Sequence, residues 1–210
     1  MLELLTGHSD AATFVATKLA RRFISDSPPD ELISRAAQTL LRSKGDLRSV
    51  LRVILLDGLA FAEPKYKRPV NFIASALRML NAETDGSEAV QDYLLRMGQT
   101  AFGWPTPDGY PDRAEPWQGN LLPRWQFAFS LMRNEIPNAE VNLQDLLEIS
   151  GARTLTESID QIASLLLGSP LDPAARDELI QTVQAAGADE AETMDVVTAG
   201  LLASPAFQWR

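Results

Sequence analysis

The stretch Asp46-Leu-Arg-Ser-Val-Leu-Arg-Val-Ile-Leu-Leu-Asp-Gly58 decides the fold class. Leu47, Val50, Leu51, Ile54 and Leu55 recur at i, i+3, i+4, i+7 and i+8, the spacing of one face of an α-helix. Asp46 stands before them as a cap, because its carboxylate can accept a hydrogen bond from an otherwise unsatisfied N–H of the first turn. The same period runs outward. Upstream, Leu32/Ile33, Ala36/Ala37 and Leu40/Leu41 share a helical face that Gly45 closes. Before them Phe14, Val15, Leu19 and Phe23 form a stripe ended by the turn-forming Ser25-Asp-Ser-Pro-Pro-Asp30. Downstream, Pro69 suits the first turn of a helix with Val70, Ile73, Leu77 and Leu80 inward, and Ser87 caps another carrying Val90, Tyr93, Leu94 and Met97.

Helical spacing resumes at Leu122, Trp125, Phe129 and Met132, and a short helix near 143–149 follows Asn142. Three more helices close the chain, each with its own start signal. Thr156 precedes Ile159, Ile162, Leu165 and Leu166; Asp172-Pro173 precedes Leu179, Ile180 and Val183; Asp189, with Glu192 three residues on, precedes Val196, Val197 and Leu201. No hairpin signal occurs. The reading is an all-α fold, an irregular bundle of eight to ten helices with one long Pro/Gly/aromatic-rich loop at 99–119. Residues 1–210 are expected to form a single domain with a sub-boundary near 135–142. Ile54-Leu-Leu-Asp-Gly-Leu-Ala-Phe61 and Gly200-Leu-Leu-Ala-Ser-Pro-Ala-Phe207 match at four of eight positions. We read this echo as similar helix-end chemistry rather than as a repeat.

Composition removes much chemistry. The 210 residues contain no cysteine, which excludes thiol nucleophiles, disulfides and thiolate metal sites. A single histidine, His8, excludes multi-histidine metal sites and stands before Ser9-Asp10 as a helix-entry residue. No metal and no cofactor is expected. The net charge of −9 argues against nucleic acid as a partner. The charge is uneven, however: residues 1–80 hold 12 Lys/Arg against 8 Asp/Glu, and residues 81–210 hold 7 against 20. The basic residues Lys18, Arg21, Arg22, Lys65, Lys67 and Arg68 either form a solvated face or meet an anionic partner. Lys65, Lys67 and Arg68 also precede a helix N-terminus, where backbone N–H groups attract anions, although no phosphate-loop motif is present. No apolar run approaches the roughly 20 residues of a membrane span. The start Met1-Leu-Glu-Leu-Leu-Thr-Gly-His8 lacks the pattern of a signal peptide, and the compartment stays open between cytoplasm and export.

The loop 99–119 is the candidate site. Phe102, Trp104, Tyr110 and Trp117 are concentrated there, stiffened by Pro105, Pro107, Pro111 and Pro116. It can present aromatic faces to a sugar or peptide, with Asp108, Asp112 and Glu115 as polar anchors and Arg124 on its flank. The competing reading is that its aromatics simply plug the helical core. The candidate ligand-binding residues are therefore Trp104, Asp108, Tyr110, Asp112, Trp117 and Arg124, for an unidentified ligand or protein partner. An elaborate loop without a nucleophile–base pair points to a non-catalytic binding or assembly domain. The alternative is a hydrolase of cell-envelope or polysaccharide material using Asp108, Asp112 or Glu115 with His8 or Arg124.

Three stretches together resemble a bacterial family, Domain of Unknown Function 1800. They are Phe14-Val-Ala-Thr-Lys-Leu-Ala-Arg-Arg-Phe23 with His8 and Ser25-Asp26; Lys65-Tyr-Lys-Arg-Pro-Val-Asn-Phe-Ile-Ala-Ser-Ala-Leu-Arg78; and Met97-Gly-Gln-Thr-Ala-Phe-Gly-Trp-Pro-Thr-Pro-Asp-Gly-Tyr-Pro-Asp112. Trp117, Gly119-Asn-Leu-Leu-Pro-Arg-Trp125 and Leu201-Leu-Ala-Ser-Pro-Ala-Phe-Gln208 extend the third. The resemblance implies the C-terminal half of a longer protein, with apolar surface here covered by a missing N-terminal half. It also implies an acidic residue in many relatives where this chain has Asn71, and the periplasm or cell surface as an alternative location. It implies no reaction and no catalytic residues.

Overall fold

Asp46 accepts the Arg48 amide at 3.0 Å and so caps the helix that follows, Leu47–Gly58. The computed structural model describes residues 7–210, with backbone only at 149 and 150; the reading of Met1–Thr6 lies outside the described residues. Twelve α-helices occur among the described residues. They are α1 (Ser9–Phe23), α2 (Asp30–Arg42), α3 (Leu47–Gly58), α4 (Pro69–Met79), α5 (Glu88–Arg96), α6 (Glu115–Gln118), α7 (Leu121–Met132), α8 (Leu143–Ser150), α9 (Leu155–Leu167), α10 (Pro173–Ala185), α11 (Glu190–Ala203) and α12 (Pro205–Gln208). A single turn of 3₁₀ helix, Leu59–Phe61, extends α3. The chain is predominantly all-α; α6 and α12, of four residues each, take the number above the ten longer helices. Two short strands, β1 (Glu83–Thr84) and β2 (Ala139–Glu140), pair antiparallel with Glu83 opposite Glu140.

The chain packs as two units: one from the residues up to Lys65 with Pro111–Pro116, the other from Tyr66–Tyr110 with Trp117–Arg210. In the first unit α1, α2 and α3 pack on one another. The buried face of α1 is Ala12, Ala16 and Ala20, while Phe14 and Phe23 stay exposed. This differs from the stripe expected from the sequence. The three alanines fall on one helical face, and their small side chains let helix backbones approach closely. On α2 the expected residues Leu32, Ala36, Ala37 and Leu40 are buried. On α3 only Val50, Ile54 and Gly58 are buried, and Leu47, Leu55 and Leu56 are exposed.

The second unit is organised on α11, which packs against α7, α9, α10 and α12. Its buried residues, Thr193, Met194, Val197, Thr198, Ala199, Leu201 and Leu202, run round much of the helix, as expected of an element enclosed by others. Phe72, Phe127 and Phe207 meet edge to face at centroid separations of 5.9 and 5.6 Å, and Tyr93 adds a fourth ring 5.3 Å from Phe127. On α7 the inward side is Arg124, Phe127, Ala128, Leu131 and Met132, whereas Leu122 and Trp125 are exposed. Both sides of this helix are apolar, so periodicity alone could not choose between them.

Local chemistry sets the boundaries. The cap of α9 lies two residues before the expected Thr156: Thr154 accepts the Glu157 amide at 3.2 Å. Gly168 ends it in the left-handed conformation at φ 81°, which a side chain would oppose. Asp172 and Asp189 cap α10 and α11 as expected, whereas Ser87 precedes α5 without a capping hydrogen bond, its hydroxyl donating instead to the Pro137 carbonyl at 3.1 Å. The two echoing segments both end a helix in a short turn, but Phe207 is fully buried and Phe61 exposed. Similar helix-end chemistry thus serves two different environments.

Candidate functional site

The loop that leaves α5 is clipped at both ends. Gln99 accepts the Val70 amide at 2.9 Å, satisfying a donor in the first turn of α4, and Asn120 donates to the Arg96 carbonyl at 3.0 Å. Between these clips the chain turns tightly, with the Gly103 amide on the Thr100 carbonyl at 3.1 Å. The Tyr110 hydroxyl donates to that same carbonyl at 2.8 Å. Position 103 must be glycine for this approach, since a Cβ would stand 2.9 Å from Thr100 Cβ and 3.2 Å from the Tyr110 oxygen.

Three rings stack along the loop. Tyr110 lies 4.9 Å from Trp104 and 5.9 Å from Trp117 between centroids, both tilted at 49°. Trp117 is buried at the base, and Trp104, 38 % exposed, is at the outer end. The Trp104 indole N–H donates to Asp108 Oδ1 at 3.1 Å, and the Thr106 hydroxyl donates to the same oxygen. Phe102 stands apart from the stack. Its relative exposure is 105 %, so the ring is wholly in solvent, and its backbone is left-handed at φ 56°. For a bulky non-glycine residue this is a strained conformation.

Four predicted ligand residues, Trp104, Asp108, Tyr110 and Trp117, are therefore brought together. Asp112 belongs to the first unit, in Pro111–Pro116. There its carbonyl accepts from Lys65 Nζ at 3.0 Å, and its Oδ1 lies 3.7 Å from Arg22 Nη1. Arg124 is fully buried in the second unit. It donates to Gln208 Oε1 and to the Lys67 carbonyl, each at 2.8 Å, and lies over the Tyr66 and Phe72 rings at 4.8 and 5.0 Å. Burial lowers its pKa. Its role is to join the segment before α4 to the C-terminal segment, where the Lys67 amide also meets the Gln208 carbonyl at 2.7 Å.

The remaining candidates are engaged locally. His8 caps α1, its Nδ1 accepting the Asp10 amide at 3.2 Å. Glu115 lies in the first turn of the four-residue α6. The proposed basic face loses two members to burial, Lys65 and Lys67. A cavity of about 490 Å³ opens elsewhere in the second unit, lined in part by Asn81, Glu83, Glu140, Asn142, Asp145 and Asp195. Burial, then Asp189 and Glu192, raise the Asp195 pKa. Sequence reasoning noticed Phe102 as one of the loop aromatics but did not select it. The Phe102-Gly103 pair inside a tight turn is the signal that points to it.

A predominantly helical protein with an ordered aromatic loop is thus the class that fold and site define. The family model described as "Protein of unknown function (DUF1800)" matches residues 1–209, and the chain belongs to that family. No curated protein and no solved structure matches it. Among the described residues no helix is long and apolar enough to cross a membrane, and no three His, Cys, Asp or Glu side chains group as a metal site requires.

Proposed function

We propose that this chain is a non-catalytic binding domain whose recognition surface is the outer part of the 99–110 loop, with a protein partner as its target. The observation that carries the reading is Phe102, a wholly exposed ring on a left-handed backbone. An arrangement that is costly both in hydration and in backbone strain is the kind found at binding sites. Trp104 supplies a second exposed ring, and the Tyr110–Trp117 stack supports it from below.

The polar handles favour a protein partner over a sugar. The indole N–H of Trp104 is taken by Asp108, and the Tyr110 hydroxyl by Thr100. What faces outward is apolar ring surface, which suits an aliphatic or aromatic side chain as a buried anchor. Sugar recognition would call on hydrogen-bonding groups that here are engaged with one another within the loop.

The test is crosslinking and mass spectrometry in an extract of the native cell, wild type against Phe102→Ala, beside a glycan array probed with the wild type. A protein captured by the wild type and lost in the variant is expected. Saturable glycan binding, with equal protein capture by both forms, would sink the reading.

A further inference from the structure

Lys67 is a buried cation with no ion-pair partner among the described residues. Its side chain belongs to a residue only 5 % exposed, and its ammonium lies 3.4 Å from the centroid of the Phe207 ring. The charges that act on it are those of Arg210 and Arg124, both positive. Burying a charge without a counter-charge is costly, and a second buried cation nearby raises that cost. A cavity of about 380 Å³ opens beside Lys67 along α4, lined also by Asn71, Ser75, Arg78 and Arg210, with Ala74 and Met79 as its apolar part. No Asp or Glu side chain lines it. The Asn71 Oδ1 is buried and accepts no hydrogen bond.

We propose that this cavity is a binding site for a small phosphate monoester. Lys67, Arg78 and Arg210 supply the positive charge that holds a phosphoryl group. The free acceptor on Asn71 suits an O–H of the same ligand. The apolar stretch of Ala74 and Met79 leaves room for a carbon skeleton. The site is separate from the aromatic loop and stands independently of the reading given for that loop. Burial already draws the Lys67 pKa down to about 8, so a bound phosphate is expected to favour the ammonium form further and move its titration upward.

The experiment uses glycerol 3-phosphate, inorganic phosphate, and sodium chloride at matched ionic strength, followed by calorimetry and by NMR of ¹³Cε-labelled lysine. Saturable binding of glycerol 3-phosphate, with an upward shift of the Lys67 titration that chloride does not produce, is expected. Arg78→Ala, an exposed change that leaves the core intact, should weaken binding about tenfold, as loss of one charge-assisted contact does. Lys67→Met should abolish binding while keeping the fold, since methionine fits an apolar environment beside Phe207. Three results would overturn the proposal: no saturation by roughly 10 mM ligand, a chloride response equal to that of the phosphate, or unchanged affinity in Arg78→Ala. Inorganic phosphate binding as tightly as the ester would overturn the assignment to a monoester. If Lys67→Met fails to fold, Arg78→Ala decides the matter alone.

Discussion

Asp26 holds the Lys65 ammonium with one carboxylate oxygen and the Ala114 amide, at 2.7 Å, with the other. Lys65 also donates to the Asp112 carbonyl, so one buried cation organises the turn after α1 and the 111–116 segment within the first unit. Removing one member of a buried pair leaves the other charge stranded. Asp26→Ala, which strands the 8 % exposed Lys65 ammonium, should therefore cost about 3 kcal/mol, and Lys65→Met less, because the Asp26 carboxylate it leaves is 24 % exposed and keeps the Ala114 amide. Urea denaturation of the two variants checks the order; equal or reversed losses would show that the pair is not what holds the segment.

Gly58 tests the packing of α1, α2 and α3. A Cβ there would stand 2.8 Å from Ile24 Cδ1 and 2.9 Å from Leu32 Cδ2. Helix propensity alone favours alanine by about 1 kcal/mol. Overpacking should win, so that Gly58→Ala lowers stability by about 1–2 kcal/mol. A rise in the thermal midpoint would mean that the two side chains move aside freely.

Phe102 should separate stability from recognition. Phe102→Gly relieves a left-handed backbone at φ 56°, while adding freedom to the unfolded chain. The net expectation is unchanged stability or a gain of up to about 1 kcal/mol, together with loss of partner capture. A destabilisation of more than about 1 kcal/mol would instead assign the ring a packing role.

Lys67 gives the pH dependence a sign. Its folded pKa is about 8 against 10.5 for an ordinary lysine, so between these values the unfolded chain binds more protons. Stability should rise from pH 8 toward 10.5 through this group, by on the order of 2 kcal/mol, and Lys67→Met should be more stable than wild type at pH 7. Denaturation of both forms across this range isolates the contribution from other groups. An identical pH slope in the two would exclude Lys67 as its source.

Helix positions were most legible where an aspartate precedes the first turn. Asp46, Asp172 and Asp189 cap the helices they precede, because a cap needs only its own next three residues. The buried face was legible on α2, where one side alone is apolar, and not on α1 or α7, where two sides compete. Of the loop, the stacking of Trp104, Tyr110 and Trp117 follows from residues close in sequence. The sites of Arg124 and Lys67 do not, since their partners Gln208 and Phe207 lie far along the chain.

By itself the sequence determined the helical class, the aspartate caps, the aromatic loop and the family, all of which depend on neighbouring residue types and their spacing. Only the tertiary structure decided that Arg124 is enclosed while Phe102 faces solvent, and that Lys67 lacks a counter-charge. Burial and pairing depend on which distant segments meet, and one-dimensional spacing does not carry that information.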